Sequence, residues 1–198
     1  MSPQLDAFFL SFAVIFVAEL GDKSQLMALT FATRYRAIDV LIGISIATLL
    51  VHLGSVALGA TIAAVLPTQA IAIVGGLAFF VFAAWTLRGD TLGEEEAGRA
   101  TRPTSSVILA VGTAFFLAEL GDKTMLATIT LATREEAIGT WLGSTAGMIV
   151  ADAIAIGVGR WLGTRLPERT IRYMAAALFV LFGILLVAEG LGWFTIGL

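Results

Sequence analysis

The sequence contains no cysteine, which excludes a disulfide framework and a thiolate metal site. Charge is also scarce. Asp, Glu, Lys and Arg make up 14% of the 198 residues, against about one quarter in a soluble domain. The net charge is only -3, and the basic residues form no patch suited to nucleic acid. No basic stretch opens the chain, Asp6 interrupts its start, and no cleavage site follows, so the first apolar run is not expected to be a signal peptide. What is abundant is apolar: 58% of the residues are hydrophobic and the mean hydropathy is +0.94. The composition is that of an integral membrane protein.

Six apolar segments are predicted, over 6–33, 38–65, 69–88, 105–132, 137–163 and 170–190. Each is long enough to cross about 30 Å of hydrocarbon as a helix. Breaks between them are short, with Pro67 and Pro167 at two of the turns. The exception is 89–104, a polar stretch containing Glu94, Glu95 and Glu96, which reads as a solvated linker.

The stretch Glu19-Leu20-Gly21-Asp22-Lys23-Ser24 returns as Glu119-Leu120-Gly121-Asp122-Lys123-Thr124, displaced by 100 positions. At the same offset Arg34, Gly43, Gly59, Pro67, Phe79 and Phe82 also recur, among others. The shared charged motif, prolines and register exceed what lipid-facing composition alone produces. The expectation is an all-α membrane protein of six transmembrane helices, built as two homologous three-helix repeats, 1–88 and 105–198, joined by the linker 89–104. Three crossings per repeat would give the second the opposite orientation, an inverted-topology arrangement common among secondary transporters.

Arginine placement predicts the orientation. Arg34, Arg36, Arg88, Arg99, Arg102, Arg160, Arg165, Arg169 and Arg172 lie at or near the loops after the first, third and fifth segments, and Arg134 alone lies on the other side. By the positive-inside rule the linker is cytoplasmic and both termini are extracytoplasmic. The expected location is a bacterial inner membrane.

Each motif places two carboxylates and an ammonium near the middle of an apolar run, at about 2.5–3.5 kcal/mol per charge on insertion scales. On a continuous helix Glu19 and Asp22 share one face, as do Glu119 and Asp122. Glu19 with Lys23, and Glu119 with Lys123, are then favourable i, i+4 pairs. If the two repeats pack face to face, four carboxylates converge, with Ser24, Thr124 and Gln25 adding oxygens. These hard donors suit Mn²⁺, Ca²⁺ or Mg²⁺ rather than zinc or copper. Carboxylates clustered away from water cannot all stay charged, so protons and a divalent cation compete for the same oxygens. Gly21 and Gly121 allow the helix to unwind beside the charges.

The doubled Glu-x-Gly-Asp-Lys-Ser/Thr motif in paired three-helix halves resembles the transmembrane protein 165 family, also called the Gdt type. The resemblance covers essentially the whole chain. It implies a membrane exchanger of manganese or calcium for protons, with bacterial members chiefly exporting manganese. By position it assigns cation binding to Glu19, Asp22, Glu119 and Asp122.

His52 and Asp152 occupy equivalent positions at depth and read either as a proton-carrying or supporting pair or as interhelical hydrogen-bonding groups. Met125 replaces Gln25 in the second repeat. Its thioether could favour Mn²⁺, although Met in such a helix is more often packing. The expected function is a secondary transporter, not an enzyme. It exports Mn²⁺, or next Ca²⁺, against protons, with the halves rocking about the site and Lys23 and Lys123 limiting its charge. No cofactor is expected; the partners are the cation, protons and the bilayer, with room for a homo-oligomer. The alternative is a proton-coupled exporter of a small organic cation such as an amino acid. An intramembrane aspartyl protease fits poorly, since each Asp is followed by Lys and Gly-x-Gly-Asp is absent.

Overall fold

A computed structural model describes residues 2–88, 106–162 and 168–193. The predicted linker 89–104 and the turn at Pro167 lie outside the described residues. Among these residues all regular structure is helical. The helices are α1 (Pro3–Glu19), α2 (Lys23–Arg34), α3 (Ala37–Val65), α4 (Thr68–Arg88), α5 (Val107–Glu119), α6 (Lys123–Ala132), α7 (Ala137–Leu162) and α8 (Glu168–Gly190). Local signals explain several boundaries. Pro3 occupies the first turn of α1, and Ser2 Oγ accepts from the Leu5 N–H at 3.4 Å. Ser106 repeats that cap on α5.

The two motif-bearing segments differ from the continuous helices expected. Each is broken at the motif, with Gly21 at φ 76° and Gly121 at φ 80°, a left-handed backbone that only glycine adopts freely. The chain bends by 73° between α1 and α2. Four helices, α3, α4, α7 and α8, contain stretches long and apolar enough to cross a membrane unaided. The α1–α2 pair makes a fifth if it counts as one span. α5 is a shorter apolar helix of 13 residues followed by α6.

The halves are interleaved. α1 packs most extensively on α7, α3 on α5, and α4 on α8. Among helix pairs in substantial contact, only α2–α3 and α6–α7 belong to one half. Small residues make this possible. A Cβ on Gly43 would come within 2.9 Å of Ile108 O, and one on Gly143 would overlap Phe8 O. Gly157, by contrast, has nothing within 4 Å of such a Cβ. Equivalent residues also meet: the Phe79 and Phe179 ring centroids are 5.7 Å apart, and Thr48 Oγ1 lies 3.4 Å from Met148 Sδ.

Candidate cation-binding site

The breaks in the two motif segments bring four helix ends together. α1 and α5 end on Glu19 and Glu119, while Asp22 and Asp122 occupy the N-cap positions of α2 and α6. Neither Asp side chain caps its own helix. The backbone turns are braced instead from the next helical turn. Gln25 Oε1 accepts from the Gly21 N–H at 2.8 Å, and Met125 Sδ accepts from the Gly121 N–H at 3.1 Å. The C-terminal ends of α1 and α5 carry partial negative charge, which favours a cation nearby.

This geometry corrects the expected i, i+3 face. Glu19 lies at the end of α1 and Asp22 at the start of α2, and the lysines reach across to the other half. Lys123 Nζ bonds Asp22 Oδ1, with both side chains buried. Lys23 Nζ lies 3.6 Å from Asp122 Oδ1, with the Lys23 side chain 20% exposed. The hydroxyls keep to their own motifs. Ser24 Oγ donates to Glu19 Oε1 and lies 3.3 Å from Asp22 Oδ2, and Thr124 Oγ1 donates to Glu119 Oε2 at 2.9 Å.

Glu19, Asp22 and Glu119 each offer an oxygen, and these lie within 4.8 Å of one another. All three side chains are buried. One oxygen of each glutamate, Glu19 Oε2 and Glu119 Oε1, has no hydrogen-bond partner among the described residues. The spacing suits a single hard cation, since oxygens on opposite sides of Ca²⁺ at about 2.3–2.6 Å stand roughly 4.6–5.2 Å apart. Asp122 is buried in the same region but stands outside this three-oxygen group.

The other predicted site residues fall in distinct places. Both ends of the Gln25 amide are engaged with backbone, Oε1 at Gly21 and Nε2 at Ala151 O, 3.1 Å away, so the side chain braces the turn. His52 is buried with Nδ1 3.4 Å from Thr145 Oγ1, and it is not part of the carboxylate group. Asp152 is buried on α7. The sequence reading missed the pair Arg134 Nη2–Glu189 Oε2 at 2.6 Å, which ties the end of α6 to the end of α8. The solitary Arg134 on its predicted face was the only signal for it.

The family model described as divalent cation/proton antiporter GDT1 matches residues 7–94 and 107–193. A Vibrio cholerae protein named "Putative manganese exporter" is 34% identical over 178 residues, covering 88% of this chain and 87% of the relative. A GDT1-like protein of Synechocystis is 30% identical, covering 91% of this chain and 96% of the relative. A chloroplastic GDT1-like protein of rice is 32% identical, covering 88% of this chain and 58% of the relative. No solved structure matches the chain. With the family model spanning both halves, this chain belongs to the GDT1 family of divalent cation/proton antiporters.

Proposed function

We propose that the protein exports Mn²⁺ from the cytoplasm in exchange for protons, with Ca²⁺ as the next-best cargo. Glu19, Asp22, Glu119 and Asp122 bind cation and protons in turn, Ser24 and Thr124 add hydroxyl oxygens, and Lys23 and Lys123 hold the site together when the cation has left. The observation that carries this reading is the meeting of three buried carboxylates from both halves within 4.8 Å. That spacing suits a single cation held by several oxygens at once. The Lys123–Asp22 pair supports exchange, because an arriving cation must displace the ammonium from Asp22. The name of the relative from Vibrio cholerae supports export as the direction.

The same reading takes each broken segment as one crossing. That gives six spans in two inverted three-helix repeats, 1–88 and 105–198, with 89–104 cytoplasmic and both termini outside. Contacts repeat under exchange of the halves, α1–α7 with α3–α5 and α2–α7 with α3–α6, which supports a two-fold relation. The interleaving argues against rocking of whole halves. Motion is better assigned to the helix ends around the motifs, with α3 and α7 as the fixed frame.

Proteoliposomes carrying a pH dye test the assignment. Mn²⁺ pulses should move protons across the membrane opposite to the cation, more strongly than Ca²⁺ and far more than Mg²⁺. Cation entry with no proton movement would indicate a channel, and silence to all three ions would favour an organic cation.

A further inference from the structure

Asp152 is a carboxylate that neither motif contains. It is fully buried on α7, and neither of its oxygens has a hydrogen-bond partner among the described residues. Its equivalent in the first half, at the offset of 100, is His52 on α3. The fold treats the two differently. His52 Nδ1 has Thr145 Oγ1 at 3.4 Å across the α3–α7 interface. The residue equivalent to Thr145 is Ser45, and its hydroxyl donates to Leu41 O, 2.7 Å away in its own helix. Asp152 therefore lacks the partner that symmetry would supply. Interhelical hydrogen bonding accounts for His52 but not for Asp152. A buried carboxylate is retained where some other group or ion compensates it.

Its surroundings indicate the compensating group. Gln25, in the first turn of α2, donates from Nε2 to Ala151 O at 3.1 Å. That bond fixes the backbone beside Asp152 to the start of α2. Electrostatically Asp152 bears most on Asp22, and it also bears on Glu19 and Glu119. It is not one of the three residues whose oxygens converge. In this arrangement Lys123 holds Asp22 Oδ1. A divalent cation that displaces the ammonium gains space beside Asp22 for a donor from α7.

We infer that Asp152 binds the transported cation in the loaded state, supplying from α7 a carboxylate that α3, with His52, does not match. The inference rests on the proposed reading that the motif carboxylates hold a divalent cation. It makes the site asymmetric, with an odd number of carboxylates around an otherwise paired set. It also adds a hard oxygen donor, which favours cations of high coordination number over zinc or copper.

The absence of cysteine makes a direct test possible, because Asp152→Cys introduces the only thiol in the protein. Cd²⁺ added to that full-length variant in detergent should produce a thiolate-to-cadmium ultraviolet band. The band should vanish when Asp22→Asn is added. No band, or an equal band in the double variant, overturns the inference. Mn²⁺ binding followed by electron paramagnetic resonance gives the second measurement. Asp152→Asn should weaken affinity by at least about tenfold with an unchanged melting temperature, and Asp152→Glu should recover most of it. If the wild type binds Mn²⁺, Asp22→Asn does not, and Asp152→Asn binds as the wild type does, Asp152 is no ligand although the motif site stands. If the wild type binds neither Mn²⁺ nor Ca²⁺, the parent reading falls as well.

Discussion

Lys123 and Asp22, 101 positions apart, form a buried ion pair that ties the second motif to the first. The reciprocal pair, Lys23 with Asp122, is looser at 3.6 Å, and the Lys23 side chain is 20% exposed. Each ammonium thus serves the other half's carboxylate. The pairing holds the motif breaks face to face, and it occupies oxygens that a cation would use.

This difference in burial predicts unequal effects on stability. Removing one partner of a buried pair strands the other charge, at about 3–5 kcal/mol. Lys123→Met should cost that much in chemical unfolding in detergent. Lys23→Met should cost less, because its 3.6 Å pair with Asp122 is looser and Lys23 is already 20% exposed. Adding Asp22→Asn to Lys123→Met should restore part of the loss, because the stranded charge is removed with it. Equal losses for the two lysines would show that the burial difference has no energetic consequence.

Three glycines separate backbone strain from packing. Gly121 has φ 80° and no atom within 4 Å of a built Cβ, so Gly121→Ala should cost about 1–2 kcal/mol through conformation alone. Gly143→Ala forces a methyl group against Phe8 O in α1, and about 1–3 kcal/mol is expected from overpacking. Gly157→Ala meets nothing and, within helix α7, should stabilise by about 0.4–1 kcal/mol. The same unfolding series measures all three, and a large loss at Gly157 would contradict the packing described here.

Glu135 lies in the short connection between α6 and α7, outside the apolar spans, and is half-buried. Burial raises its carboxyl above the ordinary value of 4.5; Arg134 opposes the rise, while Asp6 and Glu189 add to it. A carboxyl raised in the folded state favours folding while neutral. Its contribution is therefore full below about pH 4.5 and is lost as pH climbs through the raised value. Melting temperature in detergent should fall over that window in the wild type and fall less in Glu135→Gln. Identical pH profiles would remove Glu135 from the account.

Among the described residues the boundary between α3 and α4 was legible because the apolar run length and Pro67 mark it directly. The family was legible too, since carboxylates are rare in lipid and the doubled motif is distinctive. The broken helices were only half visible. Gly21 and Gly121 permit unwinding, but a glycine permits a left-handed backbone without requiring one, and the i, i+4 spacing of Glu19 and Lys23 suggested an intact turn. The crossing of the lysines depends on interleaving. Whether Gly143 meets Phe8, or Gly43 meets Ile108, is a matter of shape across the whole assembly rather than of local pattern. The Arg134–Glu189 pair was hidden for the same reason, because its partners lie 55 positions apart.

Coupled exchange through the buried carboxylates is the central claim, and Asp22→Asn tests it most directly. Wild-type protein in proteoliposomes should release protons on the face from which Mn²⁺ enters, and Asp22→Asn should lose both fluxes while eluting and melting as a folded protein. Wild-type exchange in the folded Asp22→Asn variant would contradict the claim.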